Sequence, residues 1–595
     1  MADAKRLLDL SLGECRVRGD DNASEAIAIE LTFDGETLRC HVRNTSSGPI
    51  RISEFVLSEG RHRLPPETKL HGEGSTMLSQ TVGSLENPVD LTAVTDRDYY
   101  KLPQPDGWTT LYNMVYLAPP DTGPLLLGFT SSNRFQGSIR LNADRYQIVL
   151  DAEGVKMPAG AHWVLDEFIA IYAGDRERIF ARYAEEIRKH HAPRESALEL
   201  CRRGWSSWIA HEFDVSAADI GSAIAALAKA GRSGDIVQLD DGYQKRNGDW
   251  LDTRVEFGQS LPELAEQITS AGFEAGIWLA PFVADEDSVL FERHSDWFVK
   301  DERGHPIRSD ALSFGGWGVN GFWYGLDGSH PAAQEHLTAT FKSLRSMGFR
   351  HFKLDALYWG TLKGACFYDD SVTRIEAFRR GMIAIREGAG EDAFITAANH
   401  STWACLGLID ASRTSMDVVP TWDSVLATSY ENRLRAWQHG RLWQVDPDSV
   451  LLAGDDGLHA FDGVLSDDEL TFQNTAVFAC GGLVLSGDRL ASLDSEIVGR
   501  LNRFPTTGRT GFHDAELRTG RTQGNGKHYW FALNPHDHEM TTAVPGVNED
   551  DRIRPIIGSC ELREQAPGLM ATLPPHAGVV LEIPGLRRND GAGTR

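Results

Sequence analysis

The segment HFKLDALYW, residues 351–359, places charged or polar side chains at every second position of a short apolar run. Side chains of a strand alternate between its two faces, so His351, Lys353 and Asp355 share one face and the apolar residues between them share the other. In an isolated strand the polar face meets water. In a (β/α)8 barrel, polar residues at the carboxyl end of a strand line the mouth of the barrel. The segment alone leaves both interpretations open.

The surrounding sequence favours the barrel. Between Cys201 and about Arg500, brief apolar strands alternate with helix-like segments, a pattern typical of βα units around a parallel sheet. No GxGxxG or GxxxxGK[ST] loop follows a strand, which argues against a dinucleotide-binding or P-loop fold. We therefore predict a closed eight-stranded barrel, not an open doubly wound sheet. The candidate strands are RGWSSW, DIVQLDD, EAGIWLAP, HFKLDAL, AFITAAN, LGLIDASR, SVLLAG and GLVLSGD.

The two ends of the chain have a different pattern of predicted strands and helices. Short strands between turns dominate up to about residue 165, a helix follows from Asp175 to Pro193, and strands with polar turns return after Phe504. A chain of 595 residues exceeds what one core usually supports, so several domains are expected. The predicted domains are a β domain with a linker helix at 1–190, the barrel at 200–503, an antiparallel β domain at 504–588 and a disordered tail at 589–595.

Composition narrows the class of partner. The chain has 59 Lys and Arg against 85 Asp and Glu, a formal net charge of -26, which disfavours nucleic acid and anionic membranes and suits a neutral small molecule. The amino end lacks the apolar stretch of a secretory signal, and no run of about 20 apolar residues occurs. We predict a cytoplasmic protein that binds neither nucleic acid nor membrane. Homo-oligomerisation is left open.

Cysteine and histidine spacing gives no metal or disulfide motif. The seven cysteines are scattered without a CxxC pair, and no HxH or HExxH spacing occurs. Reduced thiols, and histidines that are hydrogen-bonded or at the surface, are the preferred interpretation. Asp240, Asp241 and Asp355 could instead ligate Mg²⁺ through oxygen, but Lys353 beside Asp355 counts against that arrangement. No metal and no cofactor are predicted.

The strand DIVQLDD ends in two adjacent acids. Gln238 and Asp240 share a face, and Asp241 begins the loop. Two neighbouring carboxylates are costly to desolvate, so hydroxyl binding or metal binding is a common reason to keep them. A solvated surface turn is the alternative interpretation.

An indole beside carboxylates suits a sugar. In EAGIWLAP the strand phase turns Trp278 toward the mouth of the barrel, and RGWSSW contributes Trp205 and Trp208 at the first strand. A sugar places its C–H groups on the ring and its hydroxyls on the acids. Core packing is the competing interpretation for a lone tryptophan.

The loop IDASRTSMDV after the sixth strand supplies Arg413 and Asp417, and so a second carboxylate. Retaining glycoside hydrolysis needs two carboxyl groups about 5 to 5.5 Å apart, one ionised as nucleophile and one protonated as acid. Lys353 would favour the ionised form of Asp355. Asp417 would need to keep its proton, which a nearby Arg413 opposes, so Arg413 more plausibly reaches the substrate or the nucleophile.

Ten ordered segments resemble the α-galactosidases of glycoside hydrolase family 36: GWSSW, QLDDGYQ, GDW, GIWLAPF, HSDWFV, LDGSHP, HFKLDAL, SRTSMD, VDPDSVLLAG and LVLSGD. The resemblance runs from about Cys201 to Leu490. It implies a (β/α)8 TIM barrel between an N-terminal β-supersandwich and a C-terminal antiparallel β domain. It also implies a retaining exo-acting α-galactosidase that forms a covalent glycosyl enzyme without metal or cofactor.

The resemblance also assigns roles to single residues. It makes Asp355 in K-x-D the nucleophile and Asp417 in R-x-x-x-D the acid/base. The remaining matches are Asp240 and Asp241 for the hydroxyls at C4 and C6, Trp278 and Trp208 as ring platform, and Lys353 and Arg413 as cationic contacts.

One segment departs from the family pattern. Many members carry a Cys, Gly and Pro rich loop near C2 of the sugar, where this chain has AANHSTWACLG with Asn399 and His400. The same mechanism with another specificity is therefore an alternative: an α-N-acetylgalactosaminide, an α-glucoside, a β-L-arabinopyranoside, or transfer that makes raffinose-type sugars. A sugar-binding protein without turnover and a metal-dependent lyase or aldolase are alternatives from other classes.

Overall fold

The computed structural model describes residues 15–172, 174–196, 202–317, 321–504, 508–548, 551–565 and 568–585. The chain divides into two compact units. The first comprises Met1–Ala197, Tyr243–Glu266 and Ala275–Arg413, and the second comprises Leu198–Gly242, Gln267–Glu274 and Thr414–Arg595. The predicted tail at 589–595 and Cys201 lie outside the described residues.

The first unit begins with an antiparallel sheet, as the short strands and turns indicate. Its longest pair joins Ile50–Arg61 to Arg145–Met157, and Phe55, Phe129 and Ile148 belong to the core beneath it. Apolar and polar side chains alternate along these strands, and the sheet buries the apolar ones. Its strands are Arg16–Gly19, Ile27–Phe33, Thr37–Asn44, Ile50–Arg61, Lys69–Glu73, Gln80–Gly83, Pro88–Asp90, Thr109–Ala118, Leu125–Phe129, Gln136–Leu141, Arg145–Met157, His162–Val164 and Phe168–Tyr172.

The linker helix spans Arg176–His190, as predicted. Asp175 caps its amino end by accepting a backbone N–H of the first turn at 2.8 Å. Its apolar stripe is buried, and the Tyr183 hydroxyl at the centre of that stripe donates to the carbonyl of Phe129 at 2.7 Å. The helix therefore packs on the antiparallel sheet through both apolar contact and a buried hydrogen bond.

A buried ion cluster fastens the antiparallel sheet to a helix of the same unit. Arg374 begins the helix Arg374–Ala389, and its side chain is 1% exposed. Its guanidinium pairs with Glu153 and with Asp151, the latter at 3.3 Å, and Lys363 pairs with Asp151 as well. Because removal of one partner leaves a buried charge uncompensated, such a cluster strongly favours one arrangement of the elements it joins.

The first unit also contains four parallel strands in the predicted order. Glu274–Leu279 pairs with His351–Leu354, which pairs with Phe394–Ala397, which pairs with Ala411–Arg413. The predicted helices between them are present, and Pro331–Met347 ends at Gly348 with φ 119°, a conformation that favours glycine. The α-helices of this part of the chain are Leu261–Ser270, Val289–His294, Pro331–Met347 and Arg374–Ala389, and a short antiparallel pair joins Val283–Ala284 to Tyr324–Gly325.

The second unit contains further parallel strands. Ile236–Leu239 pairs with Arg203–Ser206, which pairs with Val484–Ser486, which pairs with Ser449–Val450. Gln444–Asp446 is also a strand. Its α-helices are Ser207–His211, Ala217–Lys229, Trp422–Arg435, Asp467–Cys480 and Ser495–Val498.

Two predicted strands of this unit are shorter than the sequence indicated. RGWSSW leaves the strand at Ser206 and continues as the helix Ser207–His211, so the prediction that Trp208 belongs to the first strand was wrong. SVLLAG is a strand only over Ser449–Val450, because the next N–H groups, those of Leu451 and Leu452, donate to the side chains of Gln473 and Asp488 instead of to a neighbouring strand. Short apolar runs do not mark such interruptions.

The end of the chain forms two antiparallel sheets, as predicted. A tight turn at Asn525 and Gly526, with φ 53° and 73°, joins the strands Thr519–Gly524 and Lys527–Leu533, and Trp530 lies in the core. An Asn-Gly pair favours such a turn because both residues tolerate positive φ. The five-stranded sheet is Gly511–Phe512, Thr519–Gly524, Lys527–Leu533, Arg554–Ile557 and Gly578–Ile583, and the three-stranded sheet is Met540–Val544, Glu561–Gln565 and Gly568–Leu573.

Within the described residues, six cysteines carry free thiols, and four of these are buried. The Sγ atoms of Cys15 and Cys40 lie 4.0 Å apart. Burial of an apolar thiol is the usual environment of a structural cysteine. Over the same residues, no helix combines the length and apolar character needed to cross a bilayer.

Candidate active site

Asp355 lies directly after the strand His351–Leu354. Its backbone N–H donates to the carbonyl of Leu279 at 2.8 Å, and its Oδ1 accepts the N–H of Ala356 at 2.6 Å. Ala356 is buried and has φ 51°, a left-handed conformation that is costly for a residue with a Cβ. Strained backbone of this kind concentrates at functional sites. The turn therefore holds the carboxylate in one orientation at the end of the strand.

The second oxygen of Asp355 is bound by Trp278, as the predicted strand phase implies. The indole Nε1 donates to Asp355 Oδ2 at 3.1 Å, and Trp250 packs edge-on against the same indole, with centroids 5.8 Å apart. Trp278 is only 1% exposed. Because so little of the ring is accessible, the structure favours a role for Trp278 in positioning the carboxylate through its N–H group.

Both predicted cations of the first unit are buried. Lys353 is 7% exposed and lies between Trp278 and Thr396 in the register of the parallel strands. Arg413 is 3% exposed and is the last residue of the strand Ala411–Arg413, where the sequence placed it in the following loop. Buried cations favour the ionised form of neighbouring carboxylates. Each of these cations lies at or near the carboxyl end of a parallel strand.

Asn399 follows the strand Phe394–Ala397 and adopts φ 46°. Its carbonyl accepts the N–H of Tyr358 at 2.7 Å, and its side-chain Oδ1 accepts the hydroxyl of Tyr100 at 2.8 Å. Tyr100 is fully buried and lies 299 positions earlier in the chain. Sequence reasoning missed it, because no local pattern distinguishes a tyrosine with this contact from any other buried tyrosine.

A buried carboxyl, Asp96, lies on the same segment as Tyr100. It accepts three hydrogen bonds: the N–H of Ser75 at 2.7 Å, and the N–H and hydroxyl of Thr76 at 3.2 and 3.0 Å. Burial raises the pKa of Asp96 to about 6, although these hydrogen bonds act in the opposite direction. This carboxyl therefore titrates near neutral pH.

The Asp96→Asn variant is expected to change how stability depends on pH. A carboxyl whose pKa is higher in the folded chain binds more protons there, so its contribution to stability is present below about pH 4 and is lost as pH rises through about 6. Thermal unfolding should be measured for wild type and variant between pH 4 and 7. Over this range the free energy of unfolding should fall by about 2 kcal/mol less in the variant than in wild type. The exposed Asp106→Asn is the matched control and should follow wild type. Parallel curves for wild type and Asp96→Asn would contradict the assignment.

In the second unit, Asp240 and Asp241 are 1% and 3% exposed. Gln238 Nε2 donates to Asp240 Oδ2 at 2.7 Å and Ser206 Oγ donates to the same oxygen at 3.1 Å, which confirms that Gln238 and Asp240 share a face. The N–H of Asp240 donates to Ser207 Oγ at 2.9 Å. The solvated-turn interpretation is therefore wrong, since both carboxylates are buried and Asp240 is held within a polar network.

Asp417 is exposed, and its Oδ2 accepts the indole Nε1–H of Trp208 at 2.9 Å. Trp208 is half-buried and packs edge-to-face against Phe213, with centroids 5.3 Å apart at 85°. The helix Ser207–His211 presents this indole, which explains why a tryptophan just past the strand still reaches a carboxylate. Asp417 thus keeps one side open to solvent and one side held by a donor.

The loop that carries Asp417 is anchored on both sides. The N–H of Met416 donates to Glu431 Oε2 at 2.7 Å, and the N–H of Val418 donates to Asp448 Oδ2 at 2.6 Å. Glu431 is 1% exposed and Asp448 is 8% exposed. Charged acceptors make strong bonds with backbone N–H groups, so Asp417 sits on a rigid segment. Sequence reasoning missed both anchors, although Asp448 lies in the segment VDPDSVLLAG that it singled out.

The described residues contain no group of three or more His, Cys, Asp or Glu side chains placed to hold a metal ion. His400, which is fully buried, lies with its Nε2 3.1 Å from the hydroxyl of Ser412. A buried histidine with a hydroxyl partner agrees with the interpretation that the histidines are hydrogen-bonded side chains.

Comparison with known proteins begins with a family model named Melibiase, which matches residues 172–311. Over these residues the chain is similar to melibiases. The match includes Trp208, Asp240, Asp241 and Trp278, and it ends before Asp355. The similarity therefore concerns the first strands of the predicted barrel, and the later carboxylates rest on their own geometry.

Curated relatives of this chain are named as enzymes that act on α-galactosides or related sugars. The bifunctional α-galactosidase/sucrose kinase AgaSK of Mediterraneibacter gnavus is 30% identical over 182 residues, 29% of this chain and 19% of that protein. The A type blood α-D-galactosamine galactosaminidase of Flavonifractor plautii is 32% identical over 75 residues, 12% of this chain and 7% of that protein. The aligned segments thus span less than a fifth of either relative.

A solved structure covers far more of the chain. The α-galactosidase TtGalA of Thermus thermophilus, in complex with p-nitrophenyl α-D-galactopyranoside, has a TM-score of 0.60 at 23% identity and covers 87% of this chain and 98% of its own. At this identity the similarity concerns the fold. The predicted fold class, a TIM barrel with β domains before and after it, is confirmed. The family model and the curated relatives support the resemblance to α-galactosidases.

Proposed function

We propose that this protein is a retaining, exo-acting α-galactosidase that removes terminal α-galactosyl units from small glycosides. The observation that carries the proposal is that each candidate carboxylate receives an indole N–H on one oxygen, Asp355 from Trp278 and Asp417 from Trp208. A carboxylate held this way keeps one orientation, which in-line chemistry requires. The names of the relatives, which include several α-galactosidases, support the substrate class.

In the first step, an oxygen of Asp355 attacks the anomeric carbon and the bond to the leaving oxygen breaks. Asp417 gives its proton to that leaving oxygen, so the aglycone departs as a neutral alcohol. Lys353, which lies two positions before Asp355 in the chain, and Arg413 would supply the positive charge that favours the ionised form of the nucleophile. Asp355 is anchored beside the strained turn at Ala356 while Asp417 is exposed, which suits a nucleophile and a proton donor that must later meet water.

In the second step, water enters, Asp417 takes one of its protons, and the resulting nucleophile breaks the ester to Asp355. Two inversions give overall retention. Asp240 and Asp241 would accept hydrogen bonds from sugar hydroxyls. The polar network that holds Asp240 supports this role, since a carboxylate fixed by Gln238 and Ser206 presents its acceptors in one orientation.

A second specificity has one observation in its favour. The galactosaminidase of Flavonifractor plautii is among the relatives, and the chain carries Asn399 in a loop that departs from the family pattern. An α-N-acetylgalactosaminide would differ from an α-galactoside only at C2. The C2 substituent is therefore the group that separates the two candidates.

A panel of aryl glycosides tests the proposed function. We expect the purified chain to cleave p-nitrophenyl α-galactoside faster than the α-glucoside, the β-L-arabinopyranoside and the α-N-acetylgalactosaminide. Proton NMR during the reaction should show α-galactose before mutarotation. First formation of β-galactose would overturn the two-step mechanism, and faster cleavage of the acetamido sugar would replace the substrate.

A further inference from the structure

Asn399 presents an amide with a fixed orientation. Its Oδ1 accepts the Tyr100 hydroxyl at 2.8 Å, and its carbonyl accepts the Tyr358 N–H at 2.7 Å. An amide has two N–H donors on Nδ2, and within the described residues these donors have no hydrogen-bond acceptor. The residue is half-buried. The Asn399 Oδ1 atom is already hydrogen-bonded, which leaves the two N–H groups on Nδ2 suited to binding a ligand.

The amide lies beside the strand end that carries Asp355. Ala398, the preceding residue, donates its N–H to the carbonyl of Leu354 at 2.7 Å, and the Tyr358 N–H donates to Asn399. These two bonds bracket Asp355 in the sequence. If Asp355 attacks the anomeric carbon, the closest ring substituent is the one on the adjacent carbon, C2.

We propose that Tyr100 is a positioning residue that holds the Asn399 amide so that Nδ2 donates to the oxygen at C2 of the glycoside. This inference rests on the proposed function and deepens it, because it names the group that reads the C2 substituent. The oxygen and the NH2 group of an amide are of similar size. Without the Tyr100 hydroxyl, the Asn399 amide can therefore turn over and point its oxygen toward the sugar. The oxygen at C2 would then lose the N–H that donates to it, and the hydroxyl there could bond only by donating to the amide oxygen.

Tyr100 is itself held firmly, as a positioning residue must be. Its side chain is fully buried, its carbonyl accepts the Tyr358 hydroxyl at 3.2 Å, and its ring packs 4.3 Å from the ring of Tyr358. A third ring, that of Phe314, meets it edge-on at 5.9 Å. Packing fixes the ring without its hydroxyl, so a phenylalanine should fill the same space.

The test compares two substrates in two variants. Tyr100→Phe is expected to lower kcat/KM roughly tenfold on p-nitrophenyl α-galactoside and less than twofold on its 2-deoxy analogue, which lacks the C2 oxygen. Tyr99→Phe is the matched control, because it removes a neighbouring hydroxyl that makes no hydrogen bond within the described residues. It should leave the ratio of the two substrates unchanged.

Asn399→Ala keeps the inference falsifiable if Tyr100→Phe folds poorly. It should show the same selective loss, and the double variant should lose no more than Asn399→Ala alone. Equal losses on both substrates would show a merely structural role and overturn the inference. Suppose that wild type cleaves the α-galactoside and Asp355→Asn does not. If the ratio of the two substrates is then unchanged in Tyr100→Phe and in Asn399→Ala, only this inference fails. A wild type that cleaves neither substrate refutes the proposed function as well.

Discussion

Replacing Asp355 with asparagine is expected to lower kcat on p-nitrophenyl α-galactoside by at least about 10³-fold. The amide cannot form the covalent bond to the anomeric carbon, so the first step has no nucleophile. Asparagine has nearly the same shape, and its single amide oxygen can still accept one of the two N–H groups, from Trp278 or from Ala356, so folding should be preserved. The loss should therefore appear in kcat, with an unchanged melting temperature.

Covalent trapping locates the nucleophile independently of rate. An activated 2-fluoro galactosyl fluoride should label wild type once per chain, and the labelled peptide should contain Asp355. Added azide should restore part of the turnover of an Asp355→Ala variant, because a small anion can enter the space of the removed carboxylate. Asp106→Asn, at an exposed position, should retain wild-type activity and labelling. Near wild-type turnover of Asp355→Asn, or a label elsewhere, would refute the assignment.

Replacing Asp417 with asparagine is expected to have an effect that depends on the leaving group. The variant lacks the proton donor, so kcat/KM on a poor leaving group such as an alkyl α-galactoside should fall by about 10² to 10⁴-fold. An aryl leaving group of low pKa departs without a proton, so the first step on a dinitrophenyl α-galactoside should change much less. Asparagine can still accept the Trp208 N–H, which keeps the side chain in place.

The pH profile provides the second measurement for Asp417. Wild-type kcat/KM should fall at high pH as the acid loses its proton, and this limb should disappear in Asp417→Asn. Asp423→Asn, on the following helix, is a control that should keep the limb. Equal losses on alkyl and dinitrophenyl substrates, or a retained alkaline limb, would contradict the acid/base role.

Local patterns predicted much of the architecture. The parallel strands Glu274–Leu279, His351–Leu354 and Phe394–Ala397 and the helix Arg374–Ala389 were all expected, because their periodicity and glycine ends are properties of the segments themselves. The same reasoning failed where a turn interrupts an apolar run. Trp208 lies in a helix instead of a strand, and the strand in SVLLAG ends at Val450, because no local pattern reports which acceptor a backbone N–H group will meet.

The candidate site divides in the same way. Strand phase alone placed Trp278 on the same side as Asp355, since residues two apart share a face and parallel neighbours stay in register. It did not reveal the left-handed turn at Ala356 or the anchors Glu431 and Asp448 on either side of Asp417. These contacts join residues whose separation along the chain leaves no periodic signal.

The amino-acid sequence by itself determined the alternation of strands and helices, the acids at the strand ends and the resemblance to a family, because each is a local pattern or an ordered series of them. Only the tertiary structure decided which donor holds which carboxylate. Trp278 and Trp208 supply indole N–H groups where the sequence suggested ring faces, and Tyr100 reaches Asn399 across 299 positions. The physical reason is that a hydrogen bond depends on distance and direction in space, and folding alone brings such distant residues within 3 Å of one another.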